Sequence, residues 1–437
     1  MKITIMGTGY VGLVCGVALA DAGFPVTCMD TDGEKIAQLQ RGSCPIYEPG
    51  LDALLVKNMQ AGRLTFTTSK QEAVRGGEVI FIAVGTPKKE DGSADLQHVL
   101  EAARTIAQHI EHDTIIVTKS TVPVGTAGRL KQEIASILAN RGVNHNFEVV
   151  ANPEFLREGS AINDLLHPER IVIGAESETA RKIMGKLYSG LYPQSYPVLY
   201  TNLETAEMIK YASNAFLATK ITYINEIANL CEAVGANALE VARAMGLDER
   251  IGKHFLQPGP GYGGSCLPKD TKALASLGQA FATPQSIVES VIKANHNQRL
   301  RMVEKIIQAL GNPQSKTIAI LGLAFKPQTD DLREAPALSI IRELLKAAAQ
   351  IRAYDPIAMK RARGLLCDVN LHWARDEYEA AQGAAALVLV TDWNQFRELD
   401  LGRIKGEMQG NLFFDLRNLY PRETIEALGF VYQGVGR

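Results

Sequence analysis

Cys266 stands in the stretch GPGYGGSCLPKD, residues 259–270, where a hydroxyl (Ser265), a thiol, an ammonium (Lys269) and a carboxylate (Asp270) follow a run of glycines. Glycines let backbone amides come against a ligand and leave a neighbouring side chain accessible. A cysteine thiol is mostly protonated at neutral pH, so one that acts as a nucleophile needs a cation or a helix N-terminus beside it. Lys269 and a helix predicted to begin near Thr271 meet that need, and they point to covalent catalysis through sulfur. The other cysteines (Cys15, Cys28, Cys44, Cys231 and Cys367) are scattered without a CxxC pair and read as small apolar residues in a reducing, cytoplasmic setting.

In EMIKYASNAF, residues 207–216, Lys210 and Asn214 are four apart and share a helix face, with Glu207 one turn earlier. One wall can thus present a cation and an amide together; a solvated Glu207–Lys210 pair on a surface helix is the alternative. The stretch NPEFLREGSAINDLLHPERIVIG, residues 152–174, gathers Glu154, Glu158 and Asp164 beside Asn152 and Arg157 after an apolar strand. Farther on, Lys326, Arg333 and Arg417 stand near the ends of predicted strands. Three such cations suit a diphosphate, which a guanidinium group binds in bidentate fashion. The histidines show no HExxH spacing and no GxSxG frame is present, so neither metal-dependent hydrolysis nor serine chemistry is indicated and no metal site is expected.

Directly after the first predicted strand comes Gly7-Thr8-Gly9-Tyr10-Val11-Gly12, opening a helix. In that context Gly7 serves the tight turn, Gly9 the approach of a pyrophosphate to the backbone, and Gly12 close helix packing, with the phosphates at the helix N-terminus. Asp30, at the end of the second predicted strand, is placed to accept both ribose hydroxyls and to repel a 2′-phosphate, which favours NAD over NADP. Lys35 tolerates a phosphate, offsets the charge of Asp30 or lies in solvent. Later strand ends supply Gly85-Thr86-Pro87 and Ser120-Thr121-Val122-Pro123, where an open α/β sheet places ligand contacts.

The elements that must position these residues are legible in outline. A chain of 437 residues is long enough for two or three cores. Apolar runs (KITIMG, PVTCMD, EVIFIAVG, TIIVTKST, FEVVANPE, RIVIGAE) alternate with amphipathic stretches, the rhythm of a parallel sheet covered by helices. One unbroken helical pattern runs from Asn202 to about Gly235, and strand and helix alternation resumes with TIAILGLAF. The fold class read from this is α/β: two Rossmann-like doubly wound domains joined by a long central helix and a helical middle domain. Expected boundaries are 1–200, 201–312 and 313–437. Lys and Arg number 46 against 48 Asp and Glu, for a net charge of -2, so no nucleic-acid partner is expected; no apolar run is long enough to cross a membrane.

Taken together, GTGYVG (7–12), EPGL (48–51), VGTP (84–87), STVPVGT (120–126), NPEFLREG (152–159), EMIKYASNAF (207–216), GYGGSCLPKD (261–270) and GLAFKPQTDDLRE (322–334) resemble the UDP-glucose/GDP-mannose dehydrogenase family, in its order and over nearly the whole chain. FLREGSAINDLLHPERIVIG and FLQPGPGYGGSC are most similar to members acting on UDP-glucose; GDP-mannose or a UDP-N-acetylhexosamine is the alternative substrate. The resemblance implies oxidation of UDP-glucose to UDP-glucuronate with two NAD reduced per sugar, through a thiohemiacetal and a thioester on Cys266. It implies Lys210 and Asp270 for proton handling and an oxyanion, with Asn214, Thr121, Glu154 and Glu158 supporting water and substrate. Glu154, Phe155, Leu156, Lys210, Asn214, Phe255, Leu256, Gly259, Tyr262, Gly263, Phe325, Lys326 and Arg417 are implied at the nucleotide-sugar pocket, and Arg250 from a second subunit. Gly7, Gly9, Tyr10, Val11, Gly12, Asp30, Lys35, Thr86, Thr121, Glu158, Lys269 and Arg333 are implied at NAD, in a homodimer built on the long helix. Two rivals remain open: a two-electron hydroxyacid dehydrogenase, and a non-catalytic sensor of NAD and a nucleotide sugar.

Overall fold

The structure, a computed structural model, describes residues 1–192 and 196–437. It divides into two compact units, Met1–Ser213 and Asn214–Arg437. The first is built on strands β1 (Ile3–Met6), β2 (Val26–Met29), β3 (Leu64–Thr67), β4 (Val79–Ile82), β5 (Thr114–Thr118), β6 (Phe147–Ala151), β7 (Ile171–Gly174) and β8 (Val198–Thr201). Their order is β3-β2-β1-β4-β5-β6-β7-β8. Successive side chains of a strand point to opposite faces, and here both faces are covered. Val79 and Phe81 of β4 pack with Ile3, Ile5, Ile115 and Val117 on one side. Ile80 and Ile82 pack with Met6, Ile116 and Val149 on the other. The apolar runs are continuous because each residue has a core to enter.

The alternation of strands and helices predicts a wholly parallel sheet, and one pairing departs from it. β6 and β7 meet antiparallel, at Ala151 and Gly174. The helix between them, Ala161–Leu166, has 6 residues. That is too short to carry the chain across a sheet face as a parallel crossover requires. The rest of the connection is loop, and it holds Glu154 to Glu158.

The long helix spans Leu203–Val234, 32 residues as its unbroken pattern predicts, and stops before Gly235, whose φ is 75°. Asn237 then caps Ala238–Gly246 by accepting from the Leu239 amide. Helices Leu267–Ala280 and Ser286–Leu310 follow. The second sheet comprises β9 (Thr317–Leu321), β10 (Gln350–Tyr354), β11 (Leu371–Trp373), β12 (Ala386–Leu389), β13 (Leu412–Asp415) and β14 (Val431–Gly434). Its order is β11-β10-β9-β12-β13-β14 and every pairing is parallel. In both sheets the order reverses beside the first strand, and the crevice at the carboxyl ends of the strands there is where open α/β sheets bind ligands. No helix among the described residues is long and apolar enough to cross a membrane.

Candidate active site

The glycine turn follows β1 directly, and its three glycines do different things. Gly7 has a φ of 102°. A Cβ on Gly12 would lie 2.0 Å from the Gly7 carbonyl oxygen, so this glycine is required by packing. A Cβ on Gly9 would meet no atom of the described residues within 4 Å. That space lies at the N-cap of the helix Tyr10–Asp21, where Gly9 brings no side chain to satisfy the first-turn amides. A pyrophosphate fits both the space and the donors.

At the end of β2, the Asp30 carboxylate accepts from the Thr8 amide and hydroxyl, both at 2.8 Å, and from Lys35 Nζ at 3.0 Å. Burial works against its charge, but these donors and the Asp32 amide outweigh burial and hold the carboxyl below its ordinary range. Lys35 therefore offsets Asp30, the second of its three readings. Thr86 Oγ1 donates to the Thr121 carbonyl at 2.9 Å, which joins the loops after β4 and β5. Tyr10 bonds Glu48, and the Gly159 amide donates to both, at 2.7 Å each. This ties the loop of Glu158 to the cofactor helix. Val11 is half-buried. The residues fit NAD.

Also in the first unit, Lys210 Nζ lies 3.0 Å from Glu154 Oε1, with the two side chains 4% and 5% exposed. Glu154 Oε2 accepts from the Leu156 amide at 2.5 Å, and Lys210 lies 5.4 Å from the centre of the Phe155 ring. Glu207 is not its partner. Its carboxylate accepts from the amides of Gly125 and Ala127, both at 2.7 Å, at the start of the helix Thr126–Arg141. Burial pushes Glu207 up to about 7 against the pull of those amides. The alternative of a solvated surface pair is thereby corrected: Lys210 belongs to a buried pair that joins the long helix to the loop after β6.

In the second unit, Cys266 is the N-cap of the helix Leu267–Ala280, which begins earlier than the sequence suggests because Pro268 is tolerated in a first turn. An N-cap thiol sits at the positive end of the helix dipole, an environment that favours a thiolate. Ser265 Oγ lies 3.4 Å from Cys266 Sγ. Asp270, in the first turn and fully buried, is held between Asn214 Nδ2 at 2.6 Å and Lys269 Nζ at 2.5 Å. Arg417 donates to the Val390 carbonyl at 2.8 Å and to the Phe325 carbonyl at 3.1 Å, which brings two of the pocket candidates together. The Gly264 amide donates to the Arg333 carbonyl at 2.8 Å, and the Arg333 side chain, outward, pairs with Asp331 at 2.8 Å. Leu256, Gly259, Tyr262 and Gly263 are buried, Phe255 and Lys326 half-buried, and Arg250 is exposed and paired with Asp248 at 2.6 Å.

Residues 1–192, 204–297 and 319–422 match the NAD binding, central and UDP binding domains of the UDP-glucose/GDP-mannose dehydrogenase family. The chain belongs to that family. Among curated relatives, the UDP-glucose 6-dehydrogenase of Rhizobium meliloti (strain 1021) is 50% identical over 441 residues, covering 100% of both chains. UDP-glucose 6-dehydrogenase TuaD of Bacillus subtilis (strain 168) is 48% identical over 436 residues, covering 100% of this chain and 93% of its own. Among solved structures, a UDP-glucose dehydrogenase from Pyrobaculum islandicum superposes with a TM-score of 0.91 at 37% identity, over 100% of this chain and 97% of that one. A UDP-D-ManNAc dehydrogenase from Pyrococcus horikoshii gives 0.87 at 28% identity, over 100% and 99%.

For this family member, sequence reasoning named Asn152 beside Glu154 and missed its partners, Lys119 and Tyr188. Lys119, buried after β5, donates to Asn152 Oδ1 at 3.0 Å and to the Tyr188 hydroxyl at 3.3 Å. Asn152 Nδ2 in turn donates to the Val172 carbonyl at 2.8 Å, which fixes the start of the loop that carries Glu154. The available signal was position: Lys119 follows an apolar strand immediately, as Asn152 does.

Proposed function

We propose that the chain oxidises the C6 primary alcohol of UDP-glucose to the carboxylate of UDP-glucuronate, by way of a thiohemiacetal and a thioester on Cys266. The observation that carries this reading is a cysteine at a helix N-cap with a buried Asp270 in the first turn of the same helix, held by Asn214 and Lys269. A two-electron dehydrogenase has no use for that nucleophile. The choice of UDP-glucose is supported by the curated relatives, named UDP-glucose 6-dehydrogenase, at 50% and 48% identity.

Bound NAD supplies the acceptor for the hydrides that leave C6. Lys210, whose ammonium is paired with Glu154, acts on the developing alkoxide as a fixed positive charge. Held as an ammonium against Glu154, the lysine does not also take the hydroxyl proton, which passes through a water to the Asp270 carboxylate. At the aldehyde level, Cys266 Sγ adds to C6: a C–S bond forms and the former aldehyde oxygen takes a proton. The second hydride then leaves C6 and the thiohemiacetal hydroxyl proton passes to solvent, giving the thioester. Water adds to C6, the C–S bond breaks, sulfur leaves as thiolate, the two protons of the water pass to solvent and the oxygen stays as carboxylate. Asn214, Thr121, Glu154 and Glu158 orient water and sugar in this reading.

The domain plan goes with it: NAD on 1–200, the long helix and cysteine loop on 201–312, and the nucleotide of the substrate on 313–437. Phe325, Lys326 and Arg417 serve the UDP moiety. Homodimerisation through the long helix is supported by Phe216, Tyr223 and Leu230, exposed at 64%, 50% and 58% and repeating every seven residues. Turnover measured on UDP-glucose, GDP-mannose and UDP-N-acetylmannosamine tests the substrate, and poor use of the first refutes it.

A further inference from the structure

We infer that Asn295, Gln298 and Arg299, on the helix Ser286–Leu310, together with Asn225 on the long helix, are positioning residues that fix the backbone of the glycine loop leading to Cys266. The inference rests on the covalent role proposed for Cys266.

Residues 259–266 form neither helix nor strand, and Gly259 to Gly264 are buried. A buried segment of this kind must find partners for its amides and carbonyls outside any ladder, and its glycines make it costly to hold in one conformation. Side chains supply those partners. The Gly259 amide donates to Asn225 Oδ1 at 2.8 Å, and Gln298 Nε2 donates to the Gly259 carbonyl at 2.9 Å. Three residues on, the Tyr262 amide donates to Asn295 Oδ1 at 2.8 Å, and Asn295 Nδ2 returns a bond to the Tyr262 carbonyl at 3.1 Å. One carboxamide thus takes the place of a neighbouring strand. Arg299 Nη2 donates to the same carbonyl at 2.7 Å and to the Glu334 carbonyl at 2.9 Å. Asn229 Nδ2 fixes Gln298 through its Oε1 at 2.8 Å.

Gly261 is matched to this clamp. It has a φ of 106°, and a Cβ there would lie 2.7 Å from Asn295 Oδ1. Four residues beyond Tyr262 the chain reaches Cys266 and the helix begins. A nucleophile displaced by a fraction of an ångström from its carbon loses much of the benefit of orientation. The clamp acts on Cys266 through the loop, so it moves the chemical step and the environment of the sulfur rather than the cofactor turn after β1.

The test uses the full chain with Asn295→Leu and, independently, Gln298→Met. Leu and Met are near-isosteric with the Asn and Gln that they replace, so both variants remove the polar contacts with little change of packing. Four readouts are taken: kcat, KM for NAD, thermal midpoint, and the pH dependence of Cys266 alkylation by iodoacetamide without substrates, followed by peptide mass. Asn295→Leu is expected to lower kcat about 30-fold or more, consistent with the sensitivity of oriented reactions, with KM for NAD within about twofold. The alkylation midpoint is expected to rise toward that of an ordinary thiol as the sulfur leaves the helix N-terminus. Gln298→Met is expected to show the same signature at smaller amplitude. Wild-type kcat and an unchanged alkylation profile in either folded variant overturn the clamp. Absence of NADH production from UDP-glucose by the wild-type chain overturns the proposed function instead.

Discussion

The Lys210–Glu154 pair allows structure and chemistry to be separated in one mutant cycle. Its 3.0 Å separation and the 4% and 5% exposure of its members place both charges out of water. Removing one partner strands the other, a loss of about 3–5 kcal/mol for buried pairs. In a unit of this size each kcal/mol lowers the thermal midpoint by roughly 2–4 °C, so Lys210→Met and Glu154→Gln are each expected to melt roughly 6–20 °C below wild type. Removing both partners leaves neither of these two charges stranded, and Gln at 154 still offers an oxygen to the Leu156 amide. The double variant is therefore expected to melt within a few degrees of wild type. Activity follows a different rule. If Lys210 stabilises the developing oxyanion, its loss costs about 10²–10³-fold in kcat whatever stands at 154. The assay is NADH production from UDP-glucose beside differential scanning calorimetry on all four proteins. A double variant that recovers both its melting point and wild-type kcat to within tenfold would show that Lys210 only neutralises Glu154.

The glycine turn offers a contrast: Gly9→Ala is expected to keep the thermal midpoint while weakening NAD binding, whereas Gly12→Ala meets the Gly7 carbonyl and is expected to fail to fold or to melt far lower. Calorimetry and cofactor titration check both, and tight NAD binding by Gly9→Ala would refute the pyrophosphate assignment. Asp30→Ala is expected to raise KM for NAD about tenfold or more and to narrow the preference over NADP, because a charged acceptor for the ribose is lost. Donors hold Asp30 below its unfolded value, so its carboxylate contributes stability above about pH 4 that is lost as the pH falls. Asp30→Asn is expected to flatten that acid limb in urea midpoints measured against pH. Burial pushes the thiols of Cys15 and Cys44 up to about 11 and that of Cys28 higher still. Iodoacetamide at pH 8 is therefore expected to label exposed Cys367 and the N-cap Cys266 and to spare those three, as peptide mass spectrometry will show.

Much of this was legible in the residues because it follows from periodicity and turn chemistry. Strands buried on both faces write themselves as continuous apolar runs, as in β4 and β12, and the long helix betrays itself by lacking Gly and Pro from Leu203 to Val234. The antiparallel meeting of β6 and β7 was not legible, since strand direction depends on where a loop travels. The partner of Lys210 was hidden for a similar reason. Spacing along a helix offers Glu207, but the lysine reaches a carboxylate 56 positions earlier while Glu207 caps another helix. The start of the cysteine helix is hard to place because proline reads as a stop, whereas in a first turn it has no amide to lose. Asn295, Gln298 and Arg299 carried a readable signal. They lie on the helix face that Val288, Val291 and Met302 mark as buried, and polar residues on such a face must have partners.

The central claim is that sulfur carries the sugar between two oxidations. Incubation with limiting UDP-glucose and excess NAD, with product mass and NADH counted in the same sample, tests it most directly when paired with Cys266→Ala. Two NADH per UDP-glucuronate in the wild type, and no carboxylate from the variant, is the predicted result. One NADH per sugar, or carboxylate made at the wild-type rate without the thiol, would contradict it.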